Sequence, residues 1–173
     1  MKKLIFLIIS LFFISFNNLS IADIPHYLDF KYILNSSDAG KKAQNFLKNN
    51  LDNGLNDISK KEKKLVEEEK KIINQKKVIS QDEYKKKVSD LRKKVLNLQK
   101  ERSSLLEKVA KNRAQAKEIL LKNLNPIVKD YMIEKKIRMV VDKKSILLAD
   151  DKLDITKDIM NLLNKNLKSI NLK

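Results

Sequence analysis

The stretch "IRMVVDKKSILLADDKLDIT", residues 137–156, decides how this chain is read. Two short apolar runs, Ile137 to Val141 and Ser145 to Ala149, flank the charged turn Asp142-Lys143-Lys144. β-branched and aliphatic residues in runs of this length predict strands. Nearly everything before them has the spacing of helix. A lone two-stranded hairpin is marginal in water, so these strands need something further to pair with.

Working outward, the chain on the N-terminal side is rich in Lys, Leu, Glu and Ile. The whole chain has 2 Gly, 2 Pro, no Trp, 35% charged residues and a formal net charge of +16 in 173 residues. Such a composition fits long helices or coiled coils and is too polar for a large single-chain core. The length suggests one domain. There is no cysteine, which excludes disulfides, thiolate catalysis and cysteine metal sites.

Residues 24–30, Ile-Pro-His-Tyr-Leu-Asp-Phe, are expected to form a strand, with Pro25 tolerated near its start. Lys31 to Asn35 reads as a short connector or helical turn. Ser36, Ser37 and Asp38 are all helix-capping types. From Ala39 the apolar residues Leu51, Ile58, Leu65, Ile72 and Ile79 recur every seven residues, one layer of a coiled-coil seam. The companion layer is poor: Leu55 is followed by Glu62, Glu69 and Lys76.

The pattern breaks at Ser80, which with Glu83 makes a capping-box signature. A second helix is expected from 82 to about 135. Its apolar positions are Tyr84, Val88, Leu91, Val95, Leu98, Leu105, Val109, Ala116 and Ile119, with Arg102 and Asn112 as polar interruptions and Pro126 as a kink or break. Two helices joined by a tight turn pack antiparallel. The expectation is a helical arm over 39–135, with its tip near 78–83 and a length of roughly 60 Å. After the strands come an acidic loop, Asp150 to Asp154, and a last helix capped by Thr156, with Ile159, Leu162, Leu163 and Leu167 on its apolar side.

The first residues have a different composition. Lys2 and Lys3 precede an apolar run, Leu4 to Phe16, and Ser20-Ile21-Ala22 offers small residues for cleavage. Residues 1–22 read as a secretory signal peptide. Its removal leaves +14 on the mature chain.

No catalytic constellation stands out, so the chain is not read as an enzyme, and no cofactor or metal is expected. His26 is the sole histidine and reads as a structural or surface residue and not a catalytic one. Asp150, Asp151 and Asp154 lack the spacing and the Gly of an EF-hand calcium loop. The runs "KKEKKLVEEEKK" (60–71) and "EYKKKVSDLRKK" (83–94) load the outer arm with lysine. Part of that charge is a solvated face with Glu–Lys pairs. The excess points to an anionic partner: acidic polypeptide, anionic lipid or lipopolysaccharide. A basic helical protein also binds nucleic acid nonspecifically, but the leader and the scarcity of aromatics for stacking argue against that as its physiological role.

Both ends of the mature chain resemble the Skp/OmpH-like periplasmic chaperone family. "HYLDFKYILNSSDAGKKAQNFLKNN" (26–50) is similar to the family's opening strand, Y-V-D, and its R-V-L-N-x-S-x-A-G-K-K-A block. "VVDKKSILLADDKLDITKDIMNLLNK" (140–165) is similar to its closing V-V-D … D-I-T block. Leu148 stands where many members carry Tyr, and Lys31 where Arg or Gln is frequent; neither change disturbs the likeness.

The resemblance implies a mostly α fold with a small β body, a homotrimer in which strands of three chains share one core and three arms enclose a cavity. The body would use residues 23–38 and 136–173, with Tyr27, Leu28, Phe30, Ile137, Met139, Val141, Ile146 and Leu148 in the trimer core. It also implies a periplasmic, ATP-independent holdase for unfolded outer-membrane proteins. Client contact is expected at the tip residues Val78, Ile79, Tyr84, Lys85, Lys86 and Lys87, although Val78, Ile79 and Tyr84 could equally well just close the hairpin. The alternative reading is a coiled-coil spacer or tether of the cell envelope, against which the missing lipobox cysteine and second apolar span count.

Overall fold

A computed structural model describes residues 24–172. The proposed leader, residues 1–22, lies outside them. The elements in chain order are strand β1 (His26–Leu28), helix α1 (Phe30–Ser36), helix α2 (Asp38–Gln75), helix α3 (Gln81–Lys135), strand β2 (Val140–Asp142) and helix α4 (Thr156–Asn166). One-turn 3-10 helices occupy Lys143–Ser145 and Asp151–Leu153. Among these described residues no helix is long and apolar enough to cross a membrane.

The first strand is shorter than the sequence suggests. Asp29 ends it by turning its carboxylate back onto the Tyr32 N–H, at 2.7 Å, and so capping α1. Phe30 is therefore the first residue of a helix and not the end of a strand, and Lys31 to Asn35 form that helix's body. Ser37 then caps α2, accepting from the Gly40 N–H at 3.2 Å. Gly40 lets the two helices cross tightly, because a Cβ there would lie 2.1 Å from the backbone oxygen of Leu34. Backbone cannot yield as a flexible side chain can. Gly40→Ala is expected to destabilise the protein by about 2 kcal/mol, within the usual range for overpacking, read as a lower urea midpoint.

α2 and α3 are joined by a five-residue tip, 76–80. Cross-helix partners run in opposite directions: Lys61 meets Glu101, Glu62 meets Arg102 at 3.1 Å, Glu68 meets Lys94 at 2.6 Å, and Gln75 meets Lys87 at 2.8 Å. Ile58 and Ile72 of the heptad layer are buried in this seam, as are Leu98 and Ala116 from α3. The two irregularities noted above cancel here. Glu62, in the poor layer of α2, finds Arg102, the charged interruption of α3. Both are about half exposed, so the pair contributes little to stability and serves mainly to fix register.

Ser80 caps α3 through the Glu83 N–H at 3.2 Å. The helix runs without interruption through Pro126 to Lys135. Pro126 lies on an exposed face, where the carbonyl it deprives of a partner can be hydrated. Leu120 and Leu124 before it and Ile127 and Val128 after it are held by the core. The end is sharp. Lys136 adopts a left-handed conformation, φ 58°, and Ile137 N–H returns to the Met132 carbonyl at 2.8 Å.

β2 does not form a hairpin with residues 145–149. It pairs in parallel with β1, in the register His26 with Val140, Tyr27 with Val141 and Leu28 with Asp142. A parallel pair needs a long crossover; here it is the whole of α1, α2 and α3. The expected second strand is absent for a local reason. The Asp142 carboxylate accepts from the Lys144 N–H at 3.2 Å and curls the chain into a 3-10 turn. Leu147 and Leu148 are left in an irregular segment. On its other side Tyr27 bridges to Asp154, and its carbonyl accepts from Ile155 N–H at 2.9 Å.

Thr156 is the first residue of α4 and not its cap. Its N–H donates to the Asp154 carboxylate at 2.9 Å, while its hydroxyl accepts from the Asp29 N–H at 2.8 Å. The hydroxyl thus ties the last helix to the first strand. Beneath it Ile33, Leu124, Ile159 and Leu163 are fully buried together. One chain therefore builds a small core of its own at the root of the arm. Leu28 and Ile137, expected to need other chains for burial, belong to it.

Candidate functional site

No enclosed catalytic centre is found among the described residues, nor any group of acidic or histidine side chains that could hold a metal ion. Asp150 and Asp154 use carboxylate oxygens locally, on the Lys152 and Thr156 N–H groups. His26 is half-buried in β1, and its Nδ1 has no hydrogen-bond partner. Two surfaces are candidates instead, one on the body and one on the arm.

The body surface gathers part of the expected trimer core. Tyr27, Leu28 and Ile137 are covered by their own chain, and Phe30, Val141 and Ile146 are half-buried. Met139 is 55% exposed and Leu148 90% exposed. Leu147, which sequence reasoning passed over, is 95% exposed beside it. Elsewhere on the body Phe30, Val128, Met132, Met139 and Val141 line an open groove of about 720 Å³, with Lys129, Arg138 and Lys144 among its charged neighbours. The dileucine segment is followed, after Ala149, by Asp150 and Asp151.

Tyr27, Lys143 and Asp154 lock this region together. Lys143 Nζ lies 2.9 Å from Asp154 and 5.5 Å from the Tyr27 ring centroid. Burial pushes the Asp154 carboxyl up, but hydrogen bonds from Thr156 and Lys143 outweigh it and hold the group below its ordinary range. The hydrogen bond and charge of Asp154 in turn raise Lys143. A carboxyl with a depressed folded pKa stabilises above its unfolded pKa, and that contribution disappears as pH falls through the folded value. Asp154→Asn is therefore expected to lower the melting temperature at neutral pH. The gap from the native chain should begin to shrink near the ordinary carboxylate value of about 3.9 and close only as pH falls through the lower folded value.

At the arm's tip the six expected client residues divide. Tyr84 and Ile79 are half-buried, with Lys76 Nζ 5.8 Å from the Tyr84 ring. Lys87 is tied to Gln75 and to Glu83, 3.3 Å away. These three close the hairpin. Val78, 82% exposed, and Lys85 and Lys86 remain open to solvent. Tip and outer arm together, residues 60–100, carry 15 Lys or Arg against 7 Asp or Glu, a net +8. Half-exposed Val66, Val95 and Leu96 interrupt this basic surface. Val66 and Leu96 lie off the heptad layers, and that displacement is the one signal by which the sequence could have revealed them.

Comparison with known proteins identifies the family and the fold. The family model described as outer membrane protein (OmpH-like) matches residues 26–163. A crystal structure described as an OmpH-like outer membrane chaperone of Caulobacter crescentus CB15 superposes with a TM-score of 0.79, covering 86% of this chain and 89% of that one at 20% identity. At that identity the likeness is one of fold. No curated protein matches the chain.

Proposed function

The chain belongs to the OmpH-like family, and from that premise we propose that it is a periplasmic, ATP-independent chaperone that holds unfolded outer-membrane proteins between basic helical arms. The observation that carries this reading is the arm itself: paired helices of 38 and 55 residues, with a net +8 on the outer part and only a thin buried seam between them. A surface of that kind attracts acidic, unfolded chains over a distance and holds them by many weak contacts. None of these contacts requires the client to be folded.

The arms need a common root, and the body supports a closed ring of three. A ring about a threefold axis uses two different surfaces on each subunit, one fitting the other. This body offers such a pair. The protruding Leu147 and Leu148, with Asp150 and Asp151 behind them, complement the apolar groove at Phe30, Val128, Met132 and Met139, flanked by basic residues. Apolar side chains this exposed gain about 2 kcal/mol each on full burial. On this reading residues 23–38 and 136–173 form the assembly body, and 39–135 the arm.

The test is dilution of an urea-unfolded outer-membrane β-barrel protein into buffer, with and without residues 23–173. Suppressed light scattering at a threefold excess of chain over client is expected, weakening as salt rises. Unchanged aggregation at low salt would sink the proposal.

A further inference from the structure

In the outer half of the arm, α2 and α3 line an open groove of about 780 Å³. Its floor is Leu65, Leu91 and Leu98, and its walls are Val66, Val95 and Leu96. Val66 is 49% and Leu96 57% exposed, so neither is needed to close the seam. We propose that this groove, rather than the tip, is the subsite that grips a client, and that it takes the apolar face of an extended polypeptide segment flanked by acidic residues. The inference rests on the chaperone reading given above.

Size sets the kind of segment. The groove runs from Glu62 to Glu69 along α2 and from Leu91 to Arg102 along α3. At 1.5 Å per residue that is roughly 10 to 16 Å. An extended chain rises about 3.3 Å per residue, with alternate side chains on one face. The groove therefore accepts two or three apolar side chains at positions i, i+2 and i+4. A strand destined for a membrane barrel has that alternation along its whole length, whereas a helical segment would present its apolar side chains at other intervals.

Charge sets the flanks and excludes a rival occupant. The charged lining balances, Glu62 and Glu69 against Arg92 and Arg102, and Glu62 is paired with Arg102. The surroundings do not balance. Among the described residues Lys63, Lys64, Lys70, Lys71 and Lys100 make no ion pair. A second arm bringing its own +8 would be repelled. An apolar segment with Asp or Glu at its ends meets apolar surface in the groove and lysine around it.

Two measurements on the full mature chain test this. In the first, Val66→Ser with Leu96→Ser is compared with Ile73→Ser, an equally exposed arm position outside the groove. The probe is a labelled peptide of alternating apolar residues with acidic ends, followed by anisotropy. The double variant should bind about tenfold more weakly, as expected when two side chains lose apolar cover. Ile73→Ser should bind normally, and both variants should melt with the native chain. In the second, a peptide of the same composition with its apolar residues bunched together should bind the native chain more weakly than the alternating one. Equal binding by the double variant, or equal loss in Ile73→Ser, overturns the assignment. So does a double variant that loses affinity for phosphatidylglycerol vesicles and not for the peptide. If the native chain suppresses aggregation of an unfolded barrel protein and the double variant does so equally well, the groove assignment fails alone. If the native chain does neither, the chaperone reading fails with it.

Discussion

Replacing Leu147 and Leu148 together with serine is expected to abolish assembly and leave a folded monomer. Both side chains stand almost wholly in solvent and touch none of the core that Ile33, Leu124, Ile159 and Leu163 form. A surface change of this kind alters the stability of a single chain by no more than about 0.5 kcal/mol. In a closed ring of three, however, the same pair is buried three times over, so the loss counts at every interface. Light scattering on residues 23–173 should give about three times the chain mass for the native protein and one for the double variant, with unchanged helical circular dichroism. Met139→Asp should act in the same direction from the groove side, because an unpaired carboxylate is strongly disfavoured in an apolar contact. A double variant that remains a trimer would place the interface elsewhere on the body.

Leu124→Ala is the second large effect, and it acts on the chain itself. Leu124 is fully buried where α3 meets α4, in the same cluster as Leu28 of β1 and Ile137 beyond the arm. Removing three carbons there leaves a cavity, at a cost of about 3–4 kcal/mol for a core leucine. That is a large part of the stability of any small domain. The urea midpoint should fall steeply, and assembly should weaken with it, because β1 and β2 are positioned by this core. Leu96→Ala, on the exposed arm, serves as the control and should leave the midpoint nearly unchanged. A comparable loss from Leu96→Ala would mean that its side chain is packed, contrary to its exposure on the arm.

The arm was legible in the sequence because helix periodicity is a local signal. The Ile58, Leu65 and Ile72 spacing and the Ser80 cap place α2, the tip and α3 to within a few residues. The body was legible only in part. Strand propensity in residues 145–149 is real, but a strand needs a partner. In one chain the partner of β2 is β1, more than a hundred residues earlier. Side-chain turns at Asp29, Asp142 and Asp154 redirect the backbone where apolar runs suggest that it continues. Such turns compete with regular structure and leave no periodicity to read. The same reason explains Thr156. Its residue type marks a helix start correctly, yet its hydroxyl satisfies a donor 127 residues away. The groove in the outer arm escaped because Val66 and Leu96 look like noise in a charged face until the opposite helix is placed against them.

The central claim is that three chains, joined at the body, hold one unfolded polypeptide between their arms. The most direct measurement is the mass of the complex itself. Residues 23–173 are mixed with an urea-unfolded outer-membrane barrel protein, diluted into buffer, and resolved by size exclusion with multi-angle light scattering. The account predicts one soluble species whose mass is that of three chains plus one client, and whose client still lacks the spectrum of a folded barrel. A soluble monomer of this chain eluting apart from precipitated client would contradict it.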